Sequence, residues 1–194
     1  MTKSNMTLWD SVSVTDPDTT RKVKGVRGGF TAICAQAQLK TATELWGPYG
    51  DAWGLAELKW EYIKAGDSIS EVALTAEFYY PKGSFTMSND MVYKVGNETR
   101  KKLITDLRSK CLSTLGFNSD VFEGLYDDNR YVEKARATVN NKAVVERATA
   151  AISEATTKET LDKIKKYYTD DLKLSSPVLT KLNKLWDVRI AEVA

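Results

Sequence analysis

The chain has 194 residues, of which 42% are hydrophobic and 28% are charged, and its formal net charge is +2. This composition is ordinary for a globular protein with a sizeable core. The absence of histidine excludes imidazole catalysis and histidine-metal ligation. The chain also lacks the GxxxxGKS/T phosphate-binding motif, the GxSxG nucleophile elbow and any cysteine-rich zinc pattern. We therefore expect a binding protein, not an enzyme, with no cofactor and no bound metal.

Two further features concern the cellular compartment. No stretch approaches the roughly 18 apolar residues of a membrane span, and the N-terminal MTKSNMTLWDSV lacks the apolar core of a secretory signal. Cys34 and Cys111 lie in apolar contexts and do not form the pattern of a disulfide framework. These features predict a cytoplasmic protein with no membrane partner.

The N-terminal region and the first helix come first in chain order. Residues 1–29 are rich in Asp, Thr and Lys without an apolar period, which predicts a basic, weakly structured arm. FTAICAQAQLKTATELW then predicts a helix, because small and apolar residues recur at helical spacing. The next segment, LWGPYGDAWG, predicts a turn that is held by the packing of Trp46, Tyr49 and Trp53.

Three runs of alternating hydrophobicity follow the turn. They are LAELKWEYI, EVALTAEFYY and FTMSNDMVY, and the last two are joined by the tight hairpin PKGS. Together they predict an antiparallel meander with one buried and one solvated face. Asn89 interrupts the apolar alternation of the third strand. The residues predicted to share the buried face are Leu58, Trp60, Tyr62, Val72, Leu74, Ala76, Phe78, Tyr80, Phe85, Met87, Met91 and Tyr93.

A long helix is predicted for NETRKKLITDLRSKCLSTLGF, with Asn97 as its N-cap and Gly116 near its C-terminal end. One apolar stripe runs along this helix. At about 100° per residue, Lys101 and Arg108 fall on one flank of the stripe and Lys110 on the other. Because core helices often carry basic flanks for solubility, these charges alone do not identify a partner.

The C-terminal region is helical and strongly charged from about residue 140 onward. Its last part predicts two amphipathic helices around LSSP, which form an αα-hairpin. Thr157 is the candidate N-cap of the first helix. Ser176 and Pro177 begin the second, since proline is tolerated in a first helical turn.

The predicted fold class is α+β, with a three-stranded antiparallel meander packed on a long helix and a C-terminal helical hairpin. The predicted domains are the N-terminal arm at 1–29, a core domain at 30–140, and a helical appendage at 141–194.

The order of these motifs resembles the single-strand annealing proteins of the Rad-fifty-two superfamily. LKTATELWGPYGDAWGLAEL is similar to that family's helix and the glycine-aromatic turn that opens its first strand. YYPKGSFTMSN is similar to its lysine-glycine hairpin, and ETRKKLITDLRSKCLSTLGF to its long helix. The resemblance covers residues 28–128, and the small size without an ATPase motif suits a bacteriophage version.

The resemblance implies ATP-independent binding and annealing of complementary single strands in homologous recombination and DNA repair. Family members form rings or helical filaments, whose positively charged groove holds the strand by its backbone and leaves the bases exposed. The implied partners are single-stranded DNA and further copies of the chain, with a single-strand-binding protein or an exonuclease as a further candidate. A phage-encoded protein would act in the host cytoplasm.

The resemblance also implies which residues contact DNA. Lys110 matches a basic helix position that contacts the inner strand, and Lys82 matches a hairpin lysine linked to a second, outer contact. Ser109 and Ser113 stand where the family often has basic residues, and Arg108 is displaced by one position from that place. The basic cluster before the first helix occupies the place of a further family contact. The predicted DNA-binding set is Lys22, Lys24, Arg27, Lys82, Lys101, Arg108 and Lys110.

Two alternatives remain open at the level of sequence. One is a protein-interaction module that docks on a replication or recombination factor through its C-terminal helices. The other is a metal-dependent nuclease that uses Asp127, Asp128 and Asp170. An annealing protein is expected to bind single strands of any sequence in a salt-sensitive way. An interaction module is expected to have little affinity for DNA. Binding led by the backbone does not separate DNA from RNA.

Overall fold

The structure is a computed structural model. It describes residues 5–25, 29–95, 98–172, 174 and 176–193. The chain forms two compact units, Met1–Val132 and Glu133–Ala194. The division between Val132 and Glu133 lies eight residues before residues 140 and 141, where the sequence places the start of the helical appendage.

The N-terminal segment is structured where it is described, so the prediction of a weakly structured arm is wrong there. It contains α1 (Thr7–Val12), a 3₁₀ turn at Pro17–Thr19 and the strand β1 (Thr20–Val23). The side chain of Val12 is buried in the core of the first unit. The arm is ordered by long-range contacts, which a local apolar period does not reveal.

A buried carboxylate anchors this segment. Asp120 accepts hydrogen bonds from the backbone N–H of Thr15 at 2.8 Å, from the Thr15 hydroxyl and from the phenol of Tyr131 at 3.0 Å. The Tyr126 hydroxyl donates to the Thr15 carbonyl at 2.6 Å. Burial, aided by the hydrogen bond to Asp120, raises the pKa of Tyr131 to about 12. These bonds fix the N-terminal segment against the region that follows the long helix.

The strand β2 (Phe30–Ile33) pairs antiparallel with β1, and Lys22 lies opposite Thr31. The predicted helix from Phe30 therefore begins only at Ala35, as α2 (Ala35–Trp46). The first residues of FTAIC suit either structure locally, and pairing with β1 selects the strand.

The predicted three-stranded antiparallel meander is confirmed. Its strands are β3 (Gly54–Ala65), β4 (Ser68–Tyr80) and β5 (Gly83–Val92), in the spatial order β3-β4-β5. The predicted inward faces of β4 and β5 are also confirmed, since their apolar residues lie in or against the core.

The predicted buried face of β3 is wrong at two residues, Leu58 and Tyr62, which are 41% and 44% exposed. The register shifts between Ala56 and Lys59, which marks a β-bulge, and Glu57 takes a left-handed backbone conformation with φ of 50°. The bulge exposes Leu58, which the alternation had placed on the buried face. Beyond the bulge, Trp60 faces inward opposite Leu74.

The long helix is α3 (Thr99–Thr114), which packs on β4 and β5. The predicted N-cap Asn97 lies outside the described residues. Gly116 follows the helix with φ of 97°, and a Cβ there would lie 2.6 Å from the Trp9 ring. Glycine is therefore required both by the backbone conformation and by the packing of α1. The buried core of this unit consists of Val12, Ala42, Trp53, Val72, Leu74, Ala76, Phe78, Leu103, Leu107, Cys111, Leu112 and Phe117.

The aromatic turn packs as predicted. The Trp53 side chain is fully buried, and its Nε1–H donates to the Gly47 carbonyl at 2.8 Å. The Trp53 ring meets the Trp46 ring edge-on at 5.7 Å, and Trp46 meets Phe117 in the same way at 5.3 Å. The Tyr49 hydroxyl accepts a bond from the Leu55 N–H. The turn therefore joins α2, the start of β3 and the end of α3.

The chain continues through α4 (Ser119–Phe122), a 3₁₀ turn at Leu125–Asp127 and the long α5 (Asn129–Glu154). The boundary between the two units falls within α5. The last helices are α6 (Lys158–Lys166), followed by a π-helical turn at Tyr167–Asp171, and α7 (Ser176–Val193).

The second unit has its own core. Leu161 of α6 packs with Leu182 and Trp186 of α7 and with Ala148 and Ile152 of α5. The second unit therefore contains the predicted hairpin of α6 and α7, and α5 packs against it as a third helix. The Thr157 hydroxyl accepts a hydrogen bond from the Thr160 N–H, which confirms it as an N-cap. Within the described residues, every helix is too short or too polar to cross a bilayer.

Candidate nucleic-acid interface

A groove of about 800 Å³ lies between β2 and α3 in the first unit. One group of lining residues comes from the β1–β2 hairpin and the start of α2, and another from the first three turns of α3. Met91 of β5 and two residues of α4 also line it. The lining residues include Phe30, Thr31, Gln38, Lys101, Lys102 and Phe122.

The charged residues of the groove lie on α3. Lys101 and Lys102 line it together with two carboxylates, Glu98 and Asp106. The Lys101 ammonium lies 3.2 Å from both oxygens of Glu98. Because this pair is largely exposed, its ion pair is worth at most about 1 kcal/mol. A phosphate that enters the groove can therefore compete with Glu98 for the Lys101 ammonium.

Lys110, which the resemblance assigned to the inner strand, is held in a polar cluster beside the groove. The amide of Asn89 donates to Asp106 at 2.6 Å, and the Lys110 ammonium donates to the Asn89 amide oxygen. Lys110 also lies 3.8 Å from Asp106. Asn89 is only 6% exposed, although it lies on the apolar face of β5. The sequence shows that Asn89 interrupts the apolar alternation of β5, but it does not show that Asn89 binds Lys110.

Lys22 and Lys24 lie on or next to β1, across the hairpin from the strand that lines the groove. The Lys22 ammonium donates to the Tyr126 carbonyl at 3.2 Å, and Lys24 is exposed. Arg27, the third predicted member of this cluster, lies outside the described residues. Lys22 does not itself line the groove, but it lies opposite Thr31 of β2, which does.

Two predicted residues are not brought to this groove. The Arg108 guanidinium lies over the Tyr49 ring, 5.6 Å from its centre, at the aromatic turn. Lys82 is exposed in the turn between β4 and β5, at the opposite end of β5 from Met91. Arg100, which the sequence did not single out, contacts the Trp60 ring in the same way at 4.5 Å. These arginines cover aromatic rings of the sheet and the turn.

Neutral residues occupy the two helix positions where the family often has basic ones. The Ser113 hydroxyl donates to the Ser109 carbonyl at 2.8 Å and accepts a bond from the Gln38 amide at 3.3 Å. Ser109 and Gln38 also line the groove. This wall is therefore polar, and the groove as a whole carries two lysines, Lys101 and Lys102, and two carboxylates, Glu98 and Asp106.

The solvated face of the meander carries mostly acidic side chains. In the register, Glu61 and Asp90 lie on either side of Ala73, while Thr75 and Ser88 share a hydrogen bond of 2.7 Å. Carboxylates repel phosphates, so this face is poorly suited to a nucleic-acid backbone. The charged residues of this face are Lys59, Glu61, Glu71, Glu77 and Asp90.

The candidate nuclease carboxylates do not form one cluster in the described part of the chain. Asp128 accepts a hydrogen bond from the Arg130 N–H at 2.8 Å at the start of α5, where a carboxylate stabilises the first turn. Asp127 belongs to the same unit, and Asp170 belongs to the second. Among the described residues there is no group of three or more Cys, Asp or Glu side chains placed to hold a metal ion.

Comparison with protein-family models, with curated proteins and with solved structures finds no match for this chain. The resemblance to annealing proteins therefore depends on the sequence motifs and their order.

Proposed function

We propose that this protein binds single-stranded DNA in the groove between the β1–β2 hairpin and α3, and anneals complementary strands without ATP. The observation that carries the proposal is the position of Lys101 and Lys102 in a groove that β2 also lines. The order of motifs supports the finer assignment, an annealing fold of the Rad-fifty-two type from a bacteriophage that acts in recombination and repair. No catalytic residue and no cofactor is part of the proposal.

The physical basis is charge neutralisation. Lysines that contact phosphates release condensed counterions, and this drives binding without reading the base sequence. Two strands held in this way repel each other less, so base pairing supplies the free energy of annealing. The groove carries two lysines and two carboxylates, whereas the solvated face of the sheet carries four carboxylates and Lys59, so the groove repels a strand less than the sheet face does.

Assembly into a ring or filament is part of the same proposal. The 16 residues of α3 span about 24 Å, so one groove holds only a short piece of a strand. Several copies side by side would hold a length that pairs stably. Further partners, such as a single-strand-binding protein or an exonuclease, would add to this assembly.

Salt-dependent binding tests the proposal. The probe is a fluorescently labelled oligothymidine, and its anisotropy is measured with increasing protein at several salt concentrations. We expect binding that weakens as salt rises, and the logarithmic slope should be about −0.7 for each phosphate that the protein neutralises. The variants Lys101→Gln and Lys22→Gln should each make this slope shallower.

Lys40→Gln is the matched control, because Lys40 lies two residues beyond Gln38 and points about 160° away from it around α2. Its salt dependence should equal that of the unaltered protein. Absence of oligothymidine binding at low salt would contradict the proposal and leave protein docking through residues 141–194 as the better explanation.

A further inference from the structure

Two phenylalanines are exposed in the same groove. Phe30 lies on β2 and Phe122 on α4, both line the groove, and each is 62% exposed. α4 lies against β2. Single exposed apolar side chains are common, but two large rings in one concave site are typical of ligand-binding grooves.

Two polar atoms in the lining of this groove have no hydrogen-bond partner among the described residues. Gln38 is only 2% exposed, and its Oε1 has no donor, although its amide nitrogen is bonded to Ser113. The Thr31 hydroxyl is likewise buried and unpartnered. An unsatisfied buried polar group destabilises the folded state. Both atoms lie beneath the groove surface, so a bound base does not reach either of them directly.

We propose that unpaired bases of the bound strand stack on Phe30 and Phe122 in this groove. This inference depends on the proposed binding of single-stranded DNA. It differs from the family expectation that all bases point away from the protein.

The chemistry of the groove suits this ligand. Every base has a π-face, so stacking on phenylalanine tolerates any sequence. Lys101 and Lys102 line the same groove and provide contacts for the adjoining phosphates. A volume of about 800 Å³ lies in the range of sites that enclose small ligands.

The arrangement has a consequence for annealing. A base that is held against Phe30 or Phe122 is not free to pair, so it must leave the groove before a complementary strand can join it. Lys101 can keep its phosphate contact while this happens. The bases of a bound strand would thus leave the groove one at a time, as each pairs with the complementary strand.

The test compares two labelled oligomers of equal length and charge. One is oligothymidine, and the other has an abasic tetrahydrofuran spacer at every position. The unaltered protein should bind oligothymidine at least tenfold more tightly, since stacking contributes about 1–3 kcal/mol per base. Phe30→Ala with Phe122→Ala should remove most of this difference, while affinity for the abasic oligomer and its salt slope stay unchanged.

Two further variants separate stacking from other effects. Phe30→Tyr with Phe122→Tyr keeps both rings and should retain the preference for oligothymidine. Leu125→Ala removes an exposed apolar side chain that does not line the groove, and should also have no effect. Circular dichroism and sedimentation of each variant show whether fold and assembly are intact.

Three results would overturn the inference. The first is equal affinity of the unaltered protein for the two oligomers. The second is an equal loss of both affinities in the double alanine variant. The third is that the double alanine substitution dissociates the assembly. This would show that the Phe30 and Phe122 side chains contact a neighbouring copy of the chain and not a base. If the unaltered protein binds neither oligomer, the proposed function itself fails and the inference fails with it.

Discussion

Asp120 shows how much of this structure depends on single buried polar residues. It is 2% exposed and accepts hydrogen bonds from both polar groups of Thr15, from the Val121 N–H and from Tyr131. A carboxylate with this many donors needs no positive partner to be stable inside a protein. Nothing in the sequence indicates this role, because Thr15 is 105 residues away. Asn89, by contrast, could be singled out because it breaks the alternation of β5.

Replacing Asp120 by Asn tests this anchor. The amide retains only one acceptor oxygen and directs an NH₂ group at donors that need an acceptor. We expect the free energy of unfolding to fall by about 2 kcal/mol, as measured by urea denaturation at pH 7. Asp127→Asn, the same change at an exposed site nearby, should have almost no effect. Equal stability of the Asp120 variant and the unaltered protein would show that the anchor contributes little.

The two cysteines should differ sharply in reactivity. Cys34 is exposed, whereas burial raises the pKa of Cys111 to about 12 from its ordinary value of 9. Because the thiolate is the reactive form, we expect one thiol per chain to react with Ellman's reagent at pH 8, and two after denaturation. Cys34→Ser should leave no reactive thiol in the folded protein. Fast reaction of that variant would mean that Cys111 is accessible.

The raised pKa also gives the direction of a pH effect. Above pH 9 the thiol of the unfolded chain loses its proton while the buried thiol keeps it. The stabilisation linked to Cys111 is therefore complete below pH 9, and is lost as pH rises towards about 12.

Helices and strands could be predicted where the spacing of their apolar residues is regular along the chain. The alternation of β4 and the stripe of α3 are repeated over many residues, and the structure confirms both. The bulge at Glu57 was not predictable, since one extra residue in a strand leaves the composition unchanged. β2 was missed because its strand structure comes from pairing with β1, and the segment itself is only four residues long.

The aromatic turn is the element with the clearest stability prediction. Trp53→Phe removes the hydrogen bond to Gly47 and leaves a void beside Trp46. We expect a loss of about 2 kcal/mol in the free energy of unfolding. Tyr49→Phe removes only a partly exposed bond to Leu55 and should cost well under half as much. Similar losses for the two variants would contradict the role of Trp53 as the buried centre of the joint.

At the scale of the whole molecule, the sequence predicted the α+β class and the meander correctly. The structure divides the chain between Val132 and Glu133, and the charged surface of α5 gives no sign in the sequence that its first turn belongs to the first unit. The site could be predicted only in part. Lys101 lies in the groove, whereas Arg108 and Lys82 lie elsewhere, because helical spacing does not show which neighbour each flank of α3 faces.

Annealing of complementary strands without ATP, the function proposed for this chain, can be followed in a single mixing experiment. Two complementary labelled oligonucleotides are mixed with the protein, without nucleotide, and pairing is followed by energy transfer, with a non-complementary pair as the control. We predict pairing faster than the spontaneous rate for the complementary pair alone, and an acceleration that fades as salt rises. No acceleration at any protein concentration at low salt would contradict the claim.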